Sequence, residues 1–285
     1  MTLYLENAQR FLLFKIAEIQ DQHIAVGFDA EWSFVPGIGR RAPIIGKVAI
    51  IQLAFSNDAV QIIRLKNTGP PHALKTLLES PNIIKTGRGL SGDIRKLAKD
   101  FPNMECEPKG LVDLGRLAKT KGVVKDARVG LQRLCQVVLD KYLDKDPSIR
   151  LGNWDDVLSP EQKAYAAVDA LVSLKIFTNL NSLPTISGDA LSKRDLKDGE
   201  RVFLLEGGRA VLSGTVVKSI PATIQNAVVV RVSSMYVQAY KPINVEEKYG
   251  RPGENLVIAR VQQLRRAAPR EDDSFGDSSR PHVVV

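Results

Sequence analysis

Apolar positions recur every three to four residues through Phe11, Leu12, Leu13, Phe14, Ile16, Ala17 and Ile19, with Arg10, Lys15 and Glu18 set between them. That is the period of a helix with one core-facing side. The pattern then shortens. Ile24-Ala25-Val26-Gly27-Phe28-Asp29-Ala30-Glu31 reads as a strand, and a turn-rich stretch with Pro36, Gly37, Gly39, Pro43 and Gly46 separates it from a β-rich run at 47–55. Asn57-Asp58 has the chemistry of a hairpin turn and leads into a third run at 60–65. Three strands joined by turns, with no room for helices between them, predict an antiparallel meander.

At Pro71 the pattern changes to alternation. Residues 72–79 read as a helix, 83–86 as a strand and 90–101 as a helix; a short strand near Leu111-Val112 precedes helices over 114–119 and 131–143. A longer helix starts at Pro160, a first-turn proline after Ser159 as N-cap, and runs to about Leu180. A meander followed by alternating β and α predicts an α/β fold, a mixed sheet with helices on its faces. Beyond it the composition shifts. Asn181-Ser182-Leu183-Pro184 and Ser187-Gly188 read as a linker, followed by short β-rich runs at 202–205, 210–217, 227–232, 235–240 and 256–261, with Glu206-Gly207-Gly208-Arg209 as a turn. Short strands without helices predict a small all-β barrel. The domain boundaries expected are therefore 1–182 with a core at 24–180, a linker at 183–195, a β domain at 196–266, and a disordered tail at 267–285 that carries Glu271-Asp272-Asp273.

The chain has 285 residues, which at roughly 150 residues per domain agrees with one large and one small domain. Two cysteines, Cys106 and Cys135, make no disulfide framework and fit a reducing compartment. His23, His72 and His282 are too widely spaced for a Cys/His zinc site. No segment reaches the roughly 18 continuous apolar residues of a membrane span, and no small-residue cleavage site follows the N-terminal helix. An intracellular protein, nuclear or cytoplasmic, is the expectation, with no membrane partner. Lys and Arg outnumber Asp and Glu by 40 to 32, a net charge of +8 that leans toward an anionic partner.

The acids are more informative than the net charge. Asp29 and Glu31 lie two apart on an apolar strand and so point to one face, a repulsive arrangement that is costly in low dielectric unless a cation neutralises it. Tyr165 and Asp169 are four apart on a helix whose other residues there, Ala164, Ala166, Ala167, Val168, Ala170 and Leu171, are apolar nearly all round. Asp169 is thus a buried acid that needs a partner. Gly87-Arg88-Gly89-Leu90-Ser91-Gly92 matches the dinucleotide-binding pattern, with Asp113 about twenty residues further on. Three strands precede it, however, where that fingerprint belongs on the first strand of its unit, and it leaves Asp29, Glu31 and Asp169 unexplained. The other reading has the glycines turning the chain so that Asp93 opens a helix as the fourth carboxylate, with Asp113 capping the next helix.

The order Phe28-Asp29-Ala30-Glu31, Gly89-Leu90-Ser91-Gly92-Asp93 and Tyr165-Ala166-Ala167-Val168-Asp169 resembles the three exonuclease motifs of the DEDD superfamily, in its tyrosine subclass. Lys47-Val48-Ala49-Ile50-Ile51-Gln52-Leu53, Lys145-Asp146-Pro147-Ser148-Ile149-Arg150 and Asn153-Trp154 bring it closest to the RNase D and Werner syndrome protein exonuclease type. The resemblance covers about 24–180. It implies an RNase H-like mixed five-stranded sheet flanked by helices, and hydrolysis from the 3′ end that releases nucleoside 5′-monophosphates. It also implies two divalent ions, Mg²⁺ or Mn²⁺, held by Asp29, Glu31, Asp93 and Asp169, with Tyr165 orienting the attacking water. Hard oxygen ligands without histidine suit those metals, and two ions roughly 4 Å apart suit that displacement.

The partner implied is a nucleic acid with a free 3′ end, and the Werner-like context favours DNA over RNA. Arg88, Lys145 and Arg150 are the candidates for phosphate contacts, which give sequence-independent affinity. Trp32 fits either a base-stacking or a core position, and Trp154 is expected to pack on the last helix. The first two C-terminal runs are similar to the opening of SH3-like barrels such as KOW or Tudor modules, which leaves a nucleic acid, a protein partner or the catalytic domain itself as what that domain contacts. The alternative for the whole chain is a catalytically silent nucleic-acid-binding or adaptor module that kept the fold.

Overall fold

The computed structural model describes residues 2–19, 23–37, 42–56, 59–183, 186–187, 191–206, 209–236, 241–244 and 255–267. They divide into two compact units, one of residues 2–117 and 128–180, the other of residues 118–127 and 181–267.

In the first unit, helix α1 (Thr2–Ile19) buries Ala8, Leu12 and Ile19, as a core-facing helix should, but leaves Leu13 and Phe14 of its apolar series exposed. Strands β1 (Ile24–Val35), β2 (Ile44–Ala54) and β3 (Val60–Arg64) form the expected antiparallel meander. After α2 (His72–Glu79), strand β4 (Ile83–Gly87) pairs parallel to β1. Helix α3 (Leu90–Asp100) then leads to β5 (Leu111–Asp113), which is parallel to β4. The result is a mixed five-stranded sheet in the order β3-β2-β1-β4-β5, flanked by helices. It continues through α4 (Leu114–Thr120), α5 (Leu131–Leu139), α6 (Pro147–Arg150) and α7 (Pro160–Ser182).

The differences from the sequence reading have local causes. β1 and β2 run past Glu31 and back to Ile44, because irregularities at Glu31/Trp32 and Trp32/Phe34 let pairing continue where the glycines and prolines suggested a long turn. The predicted helix over 131–143 stops at Leu139, where Asp140 adopts a left-handed φ of 52°. The short helix α6 was not predicted; Pro147 opens it and Asp146 caps it by accepting the Ser148 N–H. The predicted start of α7 is seen as a reciprocal cap: Ser159 Oγ accepts the Gln162 N–H at 3.2 Å and Gln162 Oε1 accepts the Ser159 N–H at 3.1 Å.

The second unit holds strands β6 (Ile186–Ser187), β7 (Arg201–Glu206), β8 (Arg209–Val217), β9 (Ala227–Met235), β10 (Ile243–Asn244), β11 (Leu256–Arg260) and β12 (Leu264–Ala267). All of its recorded pairings are antiparallel, in the order β10-β11-β9-β8-β7-β12-β6. The two runs predicted at 227–232 and 235–240 are not separate through Met235: β9 is continuous, with an irregularity opposite Ser213/Gly214 absorbing the interruption. The predicted Asn57-Asp58 turn, residues 237–240, Gly207-Gly208 and the tail from residue 268 lie outside the described residues.

Each unit has its own core. Val26, Phe28, Ile51, Leu53, Leu74 and Leu77 anchor the first, and Val202, Leu204, Val216, Val230 and Val257 the second. Among the described residues no helix is long and apolar enough to cross a membrane.

One glycine sets the spacing on which the site depends. A Cβ on Gly27 would overlap the carbonyl oxygen of Ala170 and come within 3.1 Å of the Leu174 nitrogen. Only a glycine lets β1 lie this close to α7. Gly27→Ala is expected to cost about 1–3 kcal/mol, since backbone cannot give way as a flexible side chain does. Urea unfolding measures the loss, and an unchanged midpoint would refute this account of the packing.

Candidate active site

The close approach at Gly27 carries its consequence two residues on. Asp29 and Glu31 follow on the same face of β1, and Asp169 precedes Ala170 on α7. Carboxylate oxygens of Asp29, Glu31 and Asp169 all lie within 4.8 Å of one another. Asp93 comes from the first turn of α3, whose N-cap Gly89 has φ of +81°, a conformation that glycine enters without penalty. The glycine run is therefore a turn that delivers Asp93 to a helix start. Asp93 stands outside the three-carboxylate group but lines the same cleft of about 620 Å³, together with Arg88, Lys145, Arg150, Tyr165, Trp32 and Phe34.

Crowding and burial act together on these acids. Burial, then the neighbouring Asp169, raises Asp29 to about 7. Burial, then Asp29 and Asp169, raises Glu31 to about 9. Asp93 is raised to about 8 by burial and Asp29. Asp169, 2% exposed, is raised by burial against the opposing pull of Lys145. The Tyr165 phenol is raised above its ordinary 10 by burial and by Asp169 and Glu31, so it remains a neutral hydrogen-bonding group at any working pH.

The basic residues predicted to hold phosphate all line the cleft, but they differ in what they touch. Lys145 Nζ donates to Asp169 Oδ2 and, at 3.3 Å, to the Tyr165 hydroxyl, and it lies 4.7 Å from that ring's centre. Arg150 lowers the acids through its charge. Arg88 donates from Nε to the Val129 carbonyl at 2.6 Å and from Nη1 to Asp113 at 3.0 Å. Asp113 also accepts the Gly89 and Arg116 N–H groups, so it caps α4, as read from the sequence, and fastens the glycine turn as well. Trp154 is fully buried and packs against Tyr165 with ring centres 6.1 Å apart, its Nε1 donating to the Arg150 carbonyl.

Sequence reasoning passed over Gln52. It pairs directly with Asp29 across β1 and β2, is fully buried, and neither its amide nitrogen nor its amide oxygen has a partner. Directly paired residues share a sheet face, so this amide lies beside the carboxylate row. A glutamine between Ile51 and Leu53 was the available signal.

The donor set fits hard divalent cations. Three carboxylates converge with no histidine or cysteine among them, Asp169 Oδ1 is buried without a partner, and an ammonium group already rests on Asp169 Oδ2. Fold and site together define a carboxylate-centred site whose donors suit divalent cations. The family follows from comparison: a model described as 3′-5′ exonuclease matches residues 8–183, and the chain belongs to that family.

A 3′-5′ exonuclease of Arabidopsis thaliana is 35% identical over 167 residues, covering 57% of this chain and 55% of the relative. The bifunctional 3′-5′ exonuclease/ATP-dependent helicase WRN of Mus musculus is 38% identical over 184 residues, covering 64% of this chain and 12% of the relative. The chain thus spans about half of the first relative's length and a small part of the second. Among solved structures, RNase D of Escherichia coli superposes with a TM-score of 0.47 at 23% identity, over 60% of this chain and 42% of that one, a distance at which the likeness carries no further argument.

The raised acids set a pH dependence whose sign is fixed. An acid with a folded pKa above its ordinary value, about 4, keeps its proton in the native state while the unfolded chain has lost it. Stability in EDTA should therefore fall as pH rises from about 5 to 9, through the values of about 7, 8 and 9. Mn²⁺ should raise the melting temperature more at the alkaline end of that window than at the acid end. A melting temperature in EDTA that climbs across this range, with no separate effect of Mn²⁺, would contradict the electrostatic account.

Proposed function

We propose that the protein is a metal-dependent 3′-5′ exonuclease that hydrolyses phosphodiester bonds from the 3′ end of a nucleic acid and releases nucleoside 5′-monophosphates. The observation that carries this is the convergence of Asp29, Glu31 and Asp169 beside Tyr165 in one open cleft. In this reading Asp29, Glu31 and Asp169 would hold one divalent ion, and Asp93 together with Asp29 would help to hold a second. Mg²⁺ or Mn²⁺ bound there supplies the acidified water and the charge that stabilises the departing 3′-oxygen.

The chain's own groups do the rest. Tyr165, held neutral, orients the water through its hydroxyl rather than taking the proton. Lys145 and Arg150 hold the phosphate, and Lys145 leaves Asp169 to do so. Arg88, already bound to Asp113 and Val129, holds the glycine turn and offers only its remaining N–H groups to substrate. Phosphate contacts of this kind bind DNA and RNA alike. DNA is the substrate this reading favours, on the Werner-like sequence context around Lys47–Leu53 and Lys145–Arg150. The small-barrel reading of the C-terminal strands belongs to the same proposal, supported by their antiparallel order.

A degradation assay on 5′-labelled single strands tests the roles. Asp29→Ala and Asp169→Ala are expected to abolish the ladder that shortens from the 3′ end. Tyr165→Phe should retain a remnant, down about 100-fold, the scale of a lost positioned hydroxyl. A folded Asp29→Ala protein with full activity would sink the assignment.

A further inference from the structure

Every side chain of β2 from Val48 to Ala54 is buried, and among them Gln52 alone carries hydrogen-bonding groups. Alternation along the strand puts it on the same face as Ile50 and Ala54. Ile50 packs in a cluster with Tyr165 and Ala166, and Ala54 packs with Ala170 and Leu174. Gln52 therefore lies between them, on the face that α7 covers. Across the sheet it pairs with Ile62 on β3 and with Asp29 on β1. Of these neighbours along and across the sheet, Asp29 alone is polar.

That setting is unfavourable for an amide. Gln52 is fully buried, and neither its Nε2 nor its Oε1 has a partner among the described residues. A buried donor in that state has lost its hydration without compensation, and an apolar side chain of similar size would sit there at less cost. A polar side chain kept under such conditions calls for a reason, and its neighbour supplies one. Directly paired residues bring their Cβ atoms to about 5 Å on one face, a gap that a glutamine side chain spans. A carboxylate only accepts hydrogen bonds, so Nε2 is the end of the amide that suits Asp29. In the structure the Asp29 carboxyl is engaged with Asp169 through a side-chain hydrogen bond, which leaves the amide over.

We propose that Gln52 is a positioning residue for the cation site. Its Nε2 donates to one oxygen of Asp29 when Asp29 turns from Asp169 toward a divalent cation, and so fixes the rotation of that carboxylate. A neutral amide suits this task. A lysine would compete with the cation, as Lys145 does on Asp169, and a glutamate would add to the repulsion. Gln52 does not line the cleft, so it acts through Asp29 rather than on substrate. Outer partners of this kind orient the groups that ligate a metal. The inference rests on the metal-dependent reading above.

The test replaces the amide by apolar side chains of similar volume, Gln52→Met and Gln52→Leu. Two quantities are read on the full chain without nucleic acid: Mn²⁺ affinity, from the electron paramagnetic resonance signal of the free ion during titration, and the melting temperature in EDTA. Both variants are expected to bind Mn²⁺ about tenfold more weakly, the scale of a lost outer partner. Both should melt in EDTA at the wild-type temperature or above it, because the buried amide without a partner is gone. A structural role predicts the reverse, a lower melting temperature with unchanged Mn²⁺ affinity, and that result would overturn the proposal. So would a loss of affinity in one variant alone, which traces to packing, or the failure of both to fold. The nuclease reading fails separately, on a wild-type chain that binds Mn²⁺ and cleaves nothing.

Discussion

Like charges held together away from water are the constraint around which the first unit is arranged. Asp29, Glu31 and Asp169 share a few ångströms of space; burial raises all three, and repulsion from neighbouring carboxylates adds to the rise at Asp29 and Glu31. Nothing about folding alone rewards that arrangement, since protonated or apolar side chains would pack at lower cost. The backbone nonetheless enforces it. Gly27 allows β1 to lie against α7, and the Gly89 turn, fastened by Asp113, aims Asp93 into the same cleft. Rigid elements thus hold a local conflict that a divalent cation resolves, and strain of this kind is a mark of a functional site.

Much of this was legible because strand and helix periods are rigid rulers. Asp29 and Glu31 had to share a face at a spacing of two, as Tyr165 and Asp169 did at a spacing of four, and the Ser159 cap with Pro160 fixed where the last helix begins. The meander and the change to parallel pairing followed from the lengths of chain between strands. What stayed hidden depended on contacts between distant segments. Arg88 looked like a free cation but is bound to Asp113 and Val129, and Gln52 looked like one polar residue in a β run but lies opposite Asp29. Residues 118–127 cluster with the second unit, an arrangement no local pattern encodes.

In the first unit, Lys145 and Arg150 moderate the negative charge of the crowded carboxylates. In the second, Arg201 lines a cavity that none of the described acidic residues lines. Each of the two units has its own core beneath its surface.

The central claim is that the acid cluster is built for divalent cations and that the Lys145 ammonium yields to them. Anomalous diffraction from crystals grown with Mn²⁺ addresses it most directly. The account predicts metal peaks bounded by Asp29, Glu31 and Asp169, with a second position toward Asp93, and Lys145 moved off Asp169. A map with no peak in the cleft, and Lys145 still paired with Asp169 at saturating Mn²⁺, would contradict it.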